Sequence, residues 1–139
     1  MAEKIQLTIV APDRTLFKGV VDEIYAPGML GEFGVLEGHA PFFTEIDPGE
    51  VRFRTGGQDR YAAVAEGFAE VSADKVTLLV EAAEFPEEID LDRANEYLKK
   101  AEERIAGMAL FDAEYRFREL RVKRAQNRLN VAKRASAKN

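Results

Sequence analysis

The sequence predicts an α+β chain: an N-terminal antiparallel β-sandwich over residues 1–88, then a C-terminal antiparallel two-helix hairpin over residues 89–139. Three observations lead there. Short alternating apolar runs recur at the spacing of sandwich strands until about residue 81. An apolar stripe of helical period appears only after residue 88. Composition shifts at nearly the same place: all five prolines lie at or before Pro86, and nine of the ten glycines at or before Gly67. The net charge of −5 hides the same division. Residues 1–89 carry 7 Lys/Arg against 17 Asp/Glu, a balance of −10, whereas residues 90–139 carry 13 against 8, a balance of +5.

The elements follow in order. Ile5, Leu7 and Ile9 alternate with Gln6 and Thr8, the period of a half-buried strand. Pro12-Asp13 marks a turn, and Leu16 to Val21 and Glu23 to Ala26 are short β-prone pieces. Val51 and Phe53 alternate with Arg52 and Arg54; Gly56-Gly57 and then Arg60 to Ala65 complete a hairpin. Phe68 to Val71 and Val76 to Glu81 flank a turn at Asp74-Lys75. A parallel sheet would need helical crossovers, and no helical period precedes residue 88.

The segment from Gly28 to Pro41 fits this pattern poorly. Its four glycines and a proline stand among large apolar residues, as in a shaped loop. It lacks the Lys-Ser/Thr ending of a phosphate-binding loop and the glycine spacing of a dinucleotide fingerprint. It reads either as a turn between strands or as a contact surface displaying Met29, Leu30 and Phe33.

Beyond residue 88, Leu91, Ala94, Leu98, Ala101 and Ile105 step by 3 and 4 along one helix face. Asp90 is a fitting N-cap and Gly107 a fitting C-terminal stop. Asp112 can cap a second helix with a stripe of Tyr115, Val122, Ala125, Leu129 and Ala132; Arg118, also on that stripe, must snorkel or pair. A hairpin of this size is too small to hold a core by itself, so it must borrow burial. An element so placed is suited to having two docking states of similar energy.

Residues 115–139 hold nine basic residues against one acid, Glu119. Arg121, Arg124 and Arg128 share a helix face, and Arg93 sits one turn into the first helix beside Asp90. Such a set reads as a polyphosphate site, a nucleic-acid face or a solvated basic surface. The acidic first part and sparse aromatics argue against nucleic acid. No cysteine is present, which removes disulfides and thiolate chemistry, and a single histidine makes a structural zinc site improbable. No apolar run is long enough to span a membrane, and Met1 to Asp13 has an early acid and no apolar core of the signal-peptide kind. No nucleophile–base pair, carboxylate pair or metal motif stands out, so the residues favour a binding or coupling protein over an enzyme.

At this point a resemblance enters. Gly31-Glu32-Phe33-Gly34-Val35-Leu36-Glu37-Gly38-His39-Ala40-Pro41 is similar to the G-E-x-G-x-x-x-G-H-x-P signature of the epsilon subunit of bacterial and chloroplast-type ATP synthases. The likeness extends to the opening strand, Gly67-Phe68-Ala69-Glu70-Val71, Ile89-Asp90-Leu91-Asp92-Arg93-Ala94 and Lys123 to Leu129, so it covers essentially the whole chain. Glu37 departs from the family, which often has proline there.

The resemblance implies a sandwich of about ten strands followed by two helices. It implies a non-catalytic central-stalk subunit that couples rotation to ATP synthesis and restrains ATP hydrolysis through mobile helices. Its partners would be the gamma subunit, the c-ring, and the alpha and beta subunits of the catalytic head. Membrane contact would come only through the complex, on the cytoplasmic face of a bacterial inner membrane or the stromal face of a thylakoid. Loop contacts with gamma or the c-ring fall on Met29, Leu30, Glu32 and His39, and the inhibitory basic helix on Arg121, Arg124 and Arg128. No cofactor is required. ATP is implied as a regulatory ligand, because the family's I/L-D-x-x-R-A motif stands complete at Ile89, Asp90, Arg93 and Ala94, with Glu84, Arg124 and Arg128 at matching positions. The alternative is a free-standing nucleotide- or nucleic-acid-binding regulatory module built from the same two parts.

Overall fold

Alternation at the start of the chain becomes strand β1 (Ile5–Ala11), with Ile5, Leu7, Ile9 and Ala11 buried. The computed structural model describes residues 4–137; residues 1–3 of the N-terminal stretch and 138–139 of the basic stretch lie outside the described residues. Nine further strands follow: β2 (Arg14–Val21), β3 (Glu23–Gly28), β4 (Gly31–Val35), β5 (Phe42–Ile46), β6 (Gly49–Thr55), β7 (Gln58–Val64), β8 (Gly67–Val71), β9 (Lys75–Val80) and β10 (Ala83–Glu84). They hydrogen-bond in the order β10-β7-β6-β3-β5-β8-β9-β1-β2, with β4 paired to β3. A single residue pair, Gly28 with Ile46, joins β3 to β5, and there the sheet turns from one layer into the other. The layers close through Phe53, fully buried, whose ring lies 4.6 Å from that of Phe17. Burying a side chain of that size stabilises the fold by about 1.5–3 kcal/mol.

The expected hairpin at Gly56-Gly57 is present as β6–β7, and both glycines take positive φ, 57° and 78°, as a two-residue primed turn requires. Other details differ from the sequence reading. The Gly28–Pro41 segment is not all loop: Gly31–Val35 pairs along β3, with Val35 fully buried. Glycine content masked this strand, yet Gly34 is there for packing, since a Cβ at that position would meet the Tyr25 ring at 2.7 Å. Nor is every pairing antiparallel: β1 runs parallel to β9, from Gln6 against Lys75 to Val10 against Leu79. No helical crossover is needed, because the chain between them travels through both layers before returning. Strands β5 and β10 carry no signal strong enough to be read in advance, β10 being two residues long.

The chain leaves the sheet after β10, and two units result, Met1–Glu84 and Phe85–Asn139. The change therefore comes a few residues before the 88/89 division read from the sequence. The reason is local: the 3-10 turn Pro86–Glu88 packs with the helices, and the Glu88 carboxylate accepts the Phe85 N–H at 2.8 Å.

The second unit is a hairpin of α1 (Leu91–Ile105) and α2 (Tyr115–Ala137). Asp90 caps α1 as expected, its Oδ1 accepting the Arg93 N–H at 3.1 Å. Gly107, at φ 79°, follows the Ala106 C-cap. Ala94, Leu98 and Ala101 are buried, but Leu91, expected on the stripe, is 37% exposed because it occupies the first turn. On α2, Ala125, Leu129 and Ala132 are buried as expected, and Val131, not foreseen, is fully buried as well. Asp112 does not cap α2 itself; its side chain accepts the Glu114 N–H at 2.9 Å in the turn just before the helix. Arg118 is paired, with Nη2 3.6 Å from the Glu114 carboxylate.

Gly67 provides a test of the sandwich. A Cβ there would collide with the Leu79 carbonyl oxygen and lie 2.7 Å from Val80 Cα, and neither backbone atom can step aside without breaking β8–β9. Gly67→Ala is expected to lower unfolding free energy by roughly 2–3 kcal/mol in urea titration. An unchanged midpoint would contradict the close approach.

Candidate functional site

All charged side chains among the described residues lie at or near the surface, since no buried residue is polar or charged. Candidate sites are therefore surfaces, one on each unit.

On the sandwich, the β3–β4 turn projects Met29 and Leu30 into solvent, with Leu30 fully exposed. Gly31, at φ 123°, provides the backbone conformation that this tight turn requires. Glu32 is also exposed, on β4. His39 lies further along, where its ring joins two segments. Nδ1 meets the Leu36 carbonyl oxygen and Nε2 the Ser72 carbonyl oxygen at 2.9 Å. His39 thus ties the loop after β4 to the β8–β9 turn.

Sequence reasoning missed a second feature of this unit. Phe43 and Phe68 stack on the outer face with centroids 5.5 Å apart, and both are exposed, at 65% and 45%. Phe68 stands opposite Leu79, and Leu79 opposite Val10, so an apolar row crosses β5, β8, β9 and β1. Glu45 and Glu70 are their cross-strand neighbours. The signal was available: consecutive phenylalanines at 42 and 43 on a strand must point to opposite faces.

On the hairpin, the Arg121 guanidinium donates from Nη1 to the Tyr97 hydroxyl at 3.3 Å, a contact that marks the antiparallel register of α1 and α2. That register sets the first turn of α1, with Asp90, Arg93 and Ala94, against the stretch of α2 that carries Arg124 and Arg128. Ile89 and Ala94 are buried, whereas Arg93 is exposed. Arg124 and Arg128 are half-buried and already engaged by neighbours. Glu84 belongs to the first unit, at the end of β10, opposite Ala63. Apart from Glu84, then, the residues matching the nucleotide motif share one region of the hairpin. Arg121 faces Tyr97 from the next turn of α2 and lays its guanidinium over the Phe117 ring at 4.6 Å.

Comparison with known proteins gives a consistent result. The family model described as ATP synthase, Delta/Epsilon chain, beta-sandwich domain matches residues 4–86, and the corresponding long alpha-helix domain matches residues 87–133. The chain is 45% identical over 138 residues to the ATP synthase epsilon chain of Geobacter metallireducens, covering 99% of this chain and all of that one. It is 49% identical over 105 residues to the epsilon chain of Koribacter versatilis, covering 76% and 74% of the two chains. Among solved structures, a chain of the Euglena gracilis mitochondrial ATP synthase (OSCP/F1/c-ring) shares the fold with a TM-score of 0.77 at 23% identity, covering 99% of this chain and 83% of that one.

Removing the His39 ring should loosen both segments it ties. His39→Ala is expected to cost about 0.5–1.5 kcal/mol per bond and to accelerate amide hydrogen exchange at Ser72 and in the turn around Gly38. Unchanged protection at both places would show that the ring ties nothing.

Proposed function

Because the chain belongs to the ATP synthase epsilon-chain family, a non-catalytic subunit of the central stalk, we propose that its two units divide the work of that subunit. The sandwich is the fixed rotor contact and the hairpin is the regulatory arm. The observation that carries this is the contrast between the units: an exposed apolar row on an acidic, apolar-cored sandwich, and a basic hairpin joined through a narrow alanine-rich seam.

The apolar row of Phe43, Phe68 and Leu79 is a dry patch suited to a permanent protein partner. We assign it, together with the exposed turn at Met29, Leu30 and Glu32 and the loop held by His39, to contacts with the gamma subunit and the c-ring. Membrane association then comes through the complex, on the cytoplasmic face; no helix among the described residues is long and apolar enough to cross a membrane.

Among the described residues, α1 and α2 bury only alanines, two leucines and a valine, so their helices are held weakly and can reach other surfaces. Extended, the basic second helix with Arg121, Arg124 and Arg128 meets acidic surface on the alpha and beta subunits and restrains hydrolysis. Folded, the hairpin is favoured by ATP, whose phosphates lie between Arg93 and the Arg124–Arg128 stretch and offset their repulsion. Ile89 and Ala94 supply the apolar floor and Asp90 keeps the helix start in place. A ligand shifts such an equilibrium only by its differential affinity for the two states, so ATP must bind the folded hairpin better.

Deleting residues 89–139 is expected to raise ATP hydrolysis by the assembled complex while synthesis persists; equal hydrolysis rates would end the inhibitory reading. Charge reversal at Arg121 and Arg124 should give part of the same release, more strongly at low salt. Calorimetric titration of the full chain with ATP should give saturable heat, and Arg93→Gln should weaken it by about tenfold, or roughly 1.4 kcal/mol. Absence of heat at millimolar ATP would remove the nucleotide from the mechanism and leave the arm purely mechanical.

A further inference from the structure

At the far end of the hairpin from Asp90, Tyr97, Lys100, Ala101 and Arg104 of α1 and Arg118 and Arg121 of α2 border a cavity of about 130 Å³. Four cations and a phenol surround it, and no carboxylate does. Lys100 and Arg118 have carboxylate neighbours on the exposed rim, Glu96 at 3.8 Å and Glu114 at 3.6 Å. Among the described residues, Arg104 and Arg121 have none. Arg121 is the more telling of the two. Its Nη1 is used by the Tyr97 hydroxyl and its plane by the Phe117 ring, but its Nε is buried and meets no acceptor. A buried donor left in that state is destabilising unless something supplies the acceptor.

We propose that this cavity is a binding site for a small oxyanion of the inorganic phosphate class, and that its occupant clamps α1 to α2. A tetrahedral oxyanion provides acceptors for Arg104, Lys100 and the Arg121 guanidinium that lines the cavity, and Arg121 Nε, buried as the side chain stands, reaches it once that side chain turns toward the cavity. The Tyr97 hydroxyl, which accepts from Arg121, still has its own proton to donate. The cavity is well under the roughly 300–1,000 Å³ of sites for nucleotide-sized ligands, so it takes a phosphate-sized group and not a base and sugar. It is also separate from the ATP arrangement above. Arg93 and Arg104 are eleven residues apart on α1, about 16 Å of helix axis.

The test is a titration of the full-length chain with sodium phosphate at constant ionic strength, matched by potassium chloride, followed through the arginine Nε–Hε NMR signals. Saturable shifts at Arg121 and Arg104, absent with chloride, are expected. Arg104→Gln should weaken the apparent affinity by about tenfold or more, and Lys100→Gln by less, while Arg93→Gln leaves it unchanged. Both residues replaced in the cavity are exposed on α1, so the fold survives their loss. Linear, unsaturated shifts would overturn the site, as would phosphate affinity unaltered in Arg104→Gln. Shifts at Arg104 and Arg121 that ATP produces and phosphate does not would overturn its separateness and assign these residues to the nucleotide.

Discussion

Two helices that meet through alanine bring everything beside the seam together. Among the described residues, Ala94 and Ala101 are buried on α1 and Ala125 and Ala132 on α2, with Leu98, Leu129 and Val131 as the larger buried residues of the two helices. Small side chains let helix axes approach toward the short end of the usual 8–10 Å. The flanks of this seam are Arg93, Lys100 and Arg104 on one helix and Arg118, Arg121, Arg124 and Arg128 on the other. Close packing thus brings cations of both helices beside one apolar seam, although α1 as a whole carries four acids against four bases.

Part of that charge is answered internally. Tyr97 and Phe117 receive Arg121, and Glu96 and Glu114 receive Lys100 and Arg118. These are modest interactions: exposed pairs of this kind contribute at most about 1 kcal/mol each and fade with salt. Arg124 and Arg128 are engaged by neighbours as well, and the exposed Arg93 and Arg104 are the cations most open to an external anion. The sandwich has no comparable conflict. Its core is wholly apolar, its turns are set by glycine, and its charge is spread over the outside. The sandwich packs around an apolar core, whereas the hairpin carries a group of cations beside its seam.

Legibility followed the same line. Strands with strict alternation, such as Ile5–Ala11 and Val51–Arg54, and the alanine-leucine stripe of α1 were readable because one face is buried and the other wet. Strand β4 was obscured because Gly31 and Gly34 answer to turn geometry and to the Tyr25 ring, so the strand lacks its side-chain pattern. Leu91 was over-read because the first turn of a helix carries the period without a neighbour to bury it. The nucleotide motif and the His39 loop were visible as residue strings, while the partners of each came only from tertiary structure: Ser72 lies thirty-three residues from His39, and Tyr97 twenty-four from Arg121. The apolar row across Phe43, Phe68, Leu79 and Val10 draws from four strands and has no sequence period at all.

The parallel pairing of β1 with β9 has a mechanical meaning. The first strand of the sandwich and almost its last lie side by side in five registered pairs, Gln6–Lys75 through Val10–Leu79. Tension applied between the start of β1 and the end of β9 pulls these parallel strands past one another lengthwise. In that direction the hydrogen bonds are loaded together, in shear, whereas an antiparallel hairpin pulled by its open ends parts one rung at a time. A central-stalk unit whose chain continues beyond Glu84 into the hairpin is thereby held along the direction in which its hydrogen bonds resist together.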